Sequence, residues 1–240
     1  MSLYNSIISF IEQKVAPVAG QIGGQRHVQA VRDGFISAMP FMIVGSFLLI
    51  IAYPPFAQDT TFSLGQMWVQ FAAAHKETIM LPFRMTMGIM TIYIAVGIGQ
   101  NLAQSYRLNP LMGGLLSLCS YLLVAAPIAK GNIPVAYLGG TGIFTALITS
   151  IYSVELMRFL KAKNLTIRLP EQVPEKIAQS FELLVPILVM IATLYPASLL
   201  IEHTTGMILP ELIMNAFKPF VAASDSLTAI LICVAISHLL

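Results

Sequence analysis

Charged side chains in and beside long apolar stretches are the first residues of this sequence that could do chemistry. Arg84 lies near one end of such a stretch, and Glu202 follows the end of another. Ionisable side chains at membrane depth are costly and mark ion pairs, substrate contacts or transport paths. The sequence predicts an interfacial Arg84–Glu202 pair or an arginine that extends to the membrane surface, with a substrate contact as the alternative. Glu155 and Arg158 are three residues apart, which predicts a local pair on one helix face.

The histidines and cysteines form no pattern typical of a metal or catalytic site. Cys119 and Cys233 both lie in apolar runs, without the spacing of a zinc site or a disulfide framework. The histidines share no metal-ligand spacing: His27, His75, His203 and His238. His238 lies in an apolar run, where we expect a core histidine with a backbone partner rather than a catalytic one. We find no paired nucleophile and base. The sequence therefore predicts no catalytic residue and no metal site.

Glycine-rich segments are predicted to serve packing rather than cofactor binding. No Gly-Lys-Ser/Thr follows Gly139-Gly140-Thr141-Gly142, so this segment is not a phosphate-binding loop. Small residues in membrane helices allow close approach of the neighbouring backbone. We give the same interpretation to five further glycines: Gly88, Gly97, Gly99, Gly113 and Gly114. No cofactor is predicted.

The composition indicates the kind of element that must position these residues. Of 240 residues, 57% are hydrophobic and only 10% are charged, with a mean hydropathy of +0.79. A soluble domain carries about 25% charged residues. The net charge of +2 is too small for a nucleic-acid footprint. These values exclude a soluble enzyme, a disordered chain and a nucleic-acid partner, and they predict an all-α, polytopic membrane protein.

Apolar runs predict five complete transmembrane helices. A span requires about 20 apolar residues to cross roughly 30 Å of hydrocarbon. Five runs meet this length: Gly34–Tyr53, Ile79–Leu102, Pro110–Ala129, Tyr137–Leu160 and Leu183–Ile201. A sixth run, Leu227–Leu240, has 14 residues. We expect it to be a truncated span, which would make the chain the N-terminal part of a longer protein.

Two further segments are predicted to be amphipathic. Leu3, Ile7, Ile11 and Val15 recur on one helix face, which predicts an N-terminal helix on the membrane surface, with a frayed terminus as the alternative. Ile208–Ala223 mixes charged, proline and apolar residues, which favours an interfacial segment and a domain linker.

Basic residues predict a cytoplasmic N-terminus, because cytoplasmic loops carry the excess of lysine and arginine. One predicted side of the membrane has nine lysine and arginine residues: Lys14, Arg26, Arg32, Arg107, Arg158, Lys161, Lys163, Arg168 and Lys176. The opposite side has three: Lys76, Lys130 and Lys218.

Several short motifs, in order along the chain, resemble a known family. They are Ile22-Gly23-Gly24-Gln25-Arg26-His27, Arg32-Asp33-Gly34-Phe35, Met39-Pro40, Val44-Gly45-Ser46, Gly114-Leu115-Leu116-Ser117, Gly142-Ile143-Phe144, Leu169-Pro170, Val173-Pro174, Ser180-Phe181 and Pro186. Together they resemble the enzyme IIC permeases of the bacterial sugar phosphotransferase system, in the lactose/cellobiose/diacetylchitobiose class.

The resemblance implies a fold, a function and partners. Residues 1–205 would form a membrane dimerisation and scaffold domain, and residues 206–240 a linker and the start of the sugar-binding domain. The full-length protein would sit in the bacterial cell membrane as a homodimer. It would take up a β-linked disaccharide and receive a phosphoryl group from a IIB protein, which IIA recharges.

The family's functional motifs are absent from this sequence. The family has a histidine in a Gly-Ile-His-Gly motif and a glutamate in an Asn-Glu-Pro motif, and neither occurs here. We therefore assign no catalytic or sugar-binding residue, and His238 does not match the histidine motif. Alone, the chain is expected to be inactive. The alternatives are a free-standing dimerisation scaffold and another membrane transporter or membrane enzyme.

Overall fold

The computed structural model describes residues 9, 13–14, 16–57, 59–128, 131–167, 169–170 and 172–224. Within this part of the chain, nine α-helices and two short 3-10 helices are the regular elements, and no strand occurs. The α-helices are α1 Ala16–Gly23, α2 Arg26–Ala52, α3 Ser63–Met85, α4 Met90–Ser105, α5 Pro110–Ala125, α6 Ile143–Ala162, α7 Glu175–Glu182, α8 Leu184–Thr205 and α9 Leu209–Ser224. The predicted all-α class is confirmed. The predicted helix Leu3–Val15 and the run Leu227–Leu240 lie largely or wholly outside the described residues.

Helix α4 lies at the centre and packs against α2, α5 and α6. Its glycines permit the close approach that the sequence predicts. A Cβ atom on Gly97 would lie 2.9 Å from the Gly34 Cα of α2, and one on Gly99 would lie 2.6 Å from the Gly113 carbonyl oxygen of α5. The backbones of α2, α4 and α5 therefore touch. Gly88 is different, because its nearest contact would be an ordinary 3.5 Å.

Buried hydroxyl groups hold α4, α5 and α6 together. Ser117 and Ser153 share a hydrogen bond of 3.0 Å between α5 and α6. Ser150 of α6 donates to the Ala95 carbonyl oxygen of α4 at 3.2 Å, and Ser120 donates to the Thr149 carbonyl oxygen at 3.2 Å. Serine and threonine side chains are short, and their hydroxyl groups form hydrogen bonds to the neighbouring helix. They therefore allow helices to pack closely within a membrane.

The membrane-spanning elements differ in part from the predicted five. In the part of the chain that the structure describes, three segments are long and apolar enough to cross a bilayer: Arg26–Ala52, Gly140–Ala162 and Ile177–Thr205. A fourth crossing exists if the bent pair Ser63–Met85 and Met87–Ser105 counts as one span. Helix α5 has 16 residues and ends at Ala125 rather than near Ala129. At 1.5 Å per residue it rises about 24 Å, less than the roughly 30 Å of hydrocarbon. The count of five complete spans is therefore not confirmed.

The predicted span Ile79–Leu102 is not one continuous helix. Helix α3 ends at Met85, and the chain bends by 42° before α4. Two side chains satisfy carbonyl groups freed at the break: Thr86 donates to the Pro82 carbonyl oxygen at 2.8 Å, and Tyr93 donates to the Met85 carbonyl oxygen at 2.7 Å. Pro82 lies inside α3 and lacks an amide donor for the Thr78 carbonyl oxygen, so its effect falls on the turn before it and not on the break after Met85.

The segment after the predicted fifth span is helical. Gly206 ends α8 in the left-handed conformation, with φ 71°, and the helix α9 follows. Phe217 of α9 stacks on Phe144 of α6 with ring centroids 4.2 Å apart. The predicted segment Ile208–Ala223 therefore coincides with an element that begins after a turn and packs against the bundle.

Candidate functional site

Glu155 is the centre of a polar cluster that we name the Glu155 cluster, comprising Arg26, His27, Tyr106, Glu155 and Arg158. Glu155 Oε1 accepts a hydrogen bond from the Tyr106 hydroxyl and lies 2.9 Å from His27 Nε2. Glu155 Oε2 lies 3.0 Å from Arg158 Nη2. Both carboxylate oxygens therefore have donors.

Three helices position the Glu155 cluster. Arg26 and His27 are the first residues of α2, Tyr106 follows the end of α4, and Glu155 lies in the second half of α6. We call the corresponding end of the bundle the basic end. It also carries these residues: Arg107, Lys161 and Lys163.

Two guanidinium groups lie close to the Tyr106 ring. The Arg158 guanidinium carbon is 4.4 Å from the ring centroid, and that of Arg26 is 5.4 Å away. A cation over an aromatic face is attracted by the ring quadrupole. Burial raises the pKa of the Tyr106 hydroxyl above its usual 10, and the hydrogen bond to the Glu155 carboxylate raises it further. At neutral pH, Tyr106 is therefore a protonated donor.

The arrangement is suited to fastening helices rather than to catalysis. Donors occupy both oxygens of Glu155, so the carboxylate is not poised to take a proton from a substrate. Among the described residues, no group of three His, Cys, Asp or Glu side chains could hold a metal ion. The cluster joins the start of α2, the end of α4 and the second half of α6.

The structure corrects the predicted Arg84–Glu202 pair. Arg84 Nη2 instead lies 3.0 Å from Glu77 Oε2, two turns earlier in the same helix. Helix α3 packs mainly on α2, whereas α8 packs on α5 and α6, so the two predicted partners belong to different sides of the bundle. Both Arg84 and Glu77 are largely exposed. Arg84 therefore forms an exposed ion pair within its own helix, with a different acid from Glu202.

The predicted Glu155–Arg158 pair is confirmed but is only part of the cluster. His27 lies 128 residues before Glu155 in sequence, and Tyr106 lies 49 residues before it. No local spacing links these residues, so sequence reasoning missed both. His75 Nδ1 bonds to the Phe71 carbonyl oxygen at 3.1 Å. His238 and Cys233 lie outside the described residues.

A second feature is an apolar groove of about 600 Å³ between α5 and α8, which also borders the connection after α5. Leu118 and Leu122 line it from α5, and Tyr195 lines it from α8. The free thiol of Cys119 is exposed in it. Its walls carry few hydrogen-bond donors and acceptors, so the groove is not suited to a sugar.

The fold and the site define an integral, multi-pass helical membrane protein. Its apolar helices turn most of their surface outward: only 11% of the apolar window of Ile177–Thr205 is buried. A family model described as "Phosphotransferase system, EIIC" matches residues 32–240. The chain belongs to this family, which confirms the resemblance seen in the motifs.

Individual relatives agree with this assignment. The chain is 35% identical to the lichenan permease IIC component of Bacillus subtilis over 83% of this chain and 46% of the relative. It is 34% identical to the cellobiose-specific EIIC component of Geobacillus stearothermophilus over 82% of this chain and 46% of the relative. The chain thus spans about half the length of these curated relatives.

A solved structure shares the fold. The crystal structure of ChbC, the IIC component of the N,N'-diacetylchitobiose-specific phosphotransferase system, matches with a TM-score of 0.82 and 33% identity. The match covers 94% of this chain and 54% of that chain.

Proposed function

We propose that this chain is the scaffold portion of a IIC permease that imports a β-linked disaccharide and couples import to its phosphorylation. The observation that carries the proposal is the likeness to ChbC over 94% of this chain. The names of the sequence relatives support the sugar class, since they include lichenan and cellobiose permeases. Cellobiose, diacetylchitobiose and lactose are sugars of this type.

The proposed domain division follows the sequence prediction. Residues 1–205 form the scaffold and dimerisation domain, and residues 206–240 form a linker and the start of the sugar-binding domain. The turn at Gly206 and the separate helix α9 support a boundary there. The central packing of α4 against three helices supports a rigid body before it.

The complete protein would work with two phosphocarriers. Sugar binds from outside, the sugar-binding domain moves inward, and a phosphocysteine of IIB gives its phosphoryl group to a sugar hydroxyl. The sulfur–phosphorus bond breaks as the oxygen–phosphorus bond forms, and the hydroxyl loses its proton. IIA then phosphorylates IIB again. A relative named lactose-specific EIICB, from Lactococcus lactis and 31% identical, supports IIB as a partner.

The scaffold is placed in the bacterial cell membrane with the N-terminus and the basic end in the cytoplasm. The lysine and arginine asymmetry supports this orientation. The scaffold forms a homodimer. In this arrangement the Glu155 cluster fastens α2, α4 and α6 at the cytoplasmic surface, which keeps the scaffold rigid while the other domain moves.

A chimera tests the proposal. Residues 1–240 would replace the matching region of the Geobacillus stearothermophilus cellobiose EIIC component in a strain without related permeases. We expect cellobiose uptake and IIB-dependent phosphorylation from the chimera, and vector-level activity from the chain alone. Activity of the chain alone would contradict the scaffold role.

An inserted but inactive chimera would favour the alternative, a free-standing dimerisation scaffold without a transport function. Surface labelling would establish insertion. The intact relative serves as the positive control.

A further inference from the structure

A polar cavity of about 350 Å³ opens at the basic end, beside the Glu155 cluster but distinct from it. Three parts of the chain form its walls: the α4–α5 connection, the end of α6 and the α7–α8 junction. None of the proposed transport chemistry uses this cavity. Its position at the end of the spans places it at the level of lipid headgroups.

The charges in the cavity do not balance. Lys161 Nζ lies 3.0 Å from Glu182 Oε2, so these two side chains neutralise each other. Arg107 has no acidic partner among the residues that the structure describes. The Asn109 side chain is already engaged, since it donates to Gln179 and accepts from the Met112 amide. Among the described side chains that line the cavity, one positive charge is left uncompensated.

The inner wall of the cavity is apolar. Met157 and Leu183 are 6% and 7% exposed and belong to a hydrophobic cluster with Leu116 and Met190. Met112 packs against the same cluster and also lines the cavity. The cavity lining thus combines the exposed Arg107 with apolar side chains, so a fitting ligand is amphiphilic.

The backbone conformation at position 107 favours glycine over arginine, so local stability does not explain the arginine. Helix α4 ends with the Arg107 amide bonded to the Gln104 carbonyl oxygen and the Leu108 amide bonded to that of Ala103. This is the helix end in which glycine usually takes the left-handed position. Arg107 adopts φ 57° there, at a cost that glycine avoids.

We infer that this cavity binds the headgroup of an anionic phospholipid, with the Arg107 guanidinium on its phosphate and Lys161 beside it. A guanidinium bonds two phosphate oxygens at once. Basic pockets between membrane helices at the cytoplasmic side are suited to such headgroups. The apolar inner wall accommodates the glycerol and the first methylenes, which a free phosphate lacks.

Thermal unfolding of lipid-stripped protein in detergent tests this inference. We expect phosphatidylglycerol, at a concentration ten times its dissociation constant, to raise the midpoint temperature of unfolding by about 4 °C. Phosphatidylcholine and glycerol phosphate should give little or no shift. Equal shifts from phosphatidylglycerol and phosphatidylcholine would overturn the inference, and so would an equal shift from glycerol phosphate, which would indicate a free-anion site.

Substitutions at position 107 separate ligand binding from folding. Arg107→Gln and Arg107→Gly should both lose the phosphatidylglycerol shift, and Arg107→Lys should keep part of it. Arg107→Gly should also raise the midpoint of the lipid-free protein, because glycine takes the left-handed conformation without strain. Arg84→Gln is the matched control, since Arg84 is an exposed arginine paired with Glu77.

Retention of the full shift in Arg107→Gln would refute the assignment of Arg107. This result is independent of sugar transport, because it requires only the folded chain and a lipid. An inactive chimera and a lipid-responsive chain can therefore be told apart.

Discussion

Glu155 shows how one side chain serves three helices. Its carboxylate meets His27 of α2, Tyr106 at the end of α4 and Arg158 of its own helix. Only the last partner has a spacing that a helix repeat reveals. The side chain is 27% exposed, so water screens part of the attraction.

Removing the charge at this residue should loosen the basic end. We expect Glu155→Gln to lower the free energy of unfolding by about 1–2 kcal/mol, because charge-assisted hydrogen bonds to two helices weaken. Thermal unfolding in detergent would measure the change. Glu202→Gln is the control, since Glu202 is exposed on α8 and should stay within about 0.5 kcal/mol of the parent. Equal losses in both variants would show that the cluster does not fasten the helices.

At the scale of the elements, backbone contact at glycines determines how α4 meets its neighbours. The composition of α4 indicates close packing, but it does not say which partner each glycine faces. Gly97 faces α2 and Gly99 faces α5. The break before α4 is another feature of this scale, and Tyr93 stabilises it through the Met85 carbonyl oxygen.

A single methyl group should disturb the α4–α5 contact. A Cβ atom on Gly99 would lie 2.2 Å from Ser117 Oγ and 2.6 Å from the Gly113 carbonyl oxygen. Gly99→Ala should therefore lower the free energy of unfolding by about 1–3 kcal/mol. In Gly20→Ala the new methyl group meets nothing within 4 Å, and this variant is the control. If Gly99→Ala unfolds like the parent protein, α4 and α5 do not pack as described.

At the scale of the whole molecule, the apolar side chains on the outside require a bilayer or a partner. Phe47 on α2, Met67 on α3 and Leu200 on α8 are each more than 60% exposed. Apolar patches of this kind lie against lipid or against another protein surface. The orientation and the oligomeric state both belong to this scale.

Impermeant maleimide labelling tests the orientation. Single cysteines at Asp59 and Lys163 would be introduced without Cys119 and Cys233. Both positions are exposed, one between α2 and α3 and the other at the end of α6. We expect Asp59→Cys to label in intact cells and Lys163→Cys only after permeabilisation, because the proposed orientation puts the basic end in the cytoplasm. The reverse pattern would invert the topology.

Self-association of the chain tests the proposed homodimer. Two differently tagged copies, expressed together, should co-purify in detergent. Light scattering corrected for detergent should give twice 26.1 kDa across a concentration series. A monodisperse monomer throughout that range would contradict the dimer. Mixing the tagged copies after solubilisation controls for non-specific association of exposed apolar surfaces.

The sequence by itself determined the all-helical membrane class, the packing role of Gly97, Gly99 and Gly113, and the Glu155–Arg158 pair. Each follows from composition or from spacing within one helix, and the ordered motifs added the family. Only the tertiary structure decided that His27 and Tyr106 join Glu155, that Arg84 pairs with Glu77, and that the chain bends before α4. Contacts between helices depend on crossing geometry and on which faces meet. A one-dimensional pattern records which residues share a face, but not which helix that face contacts.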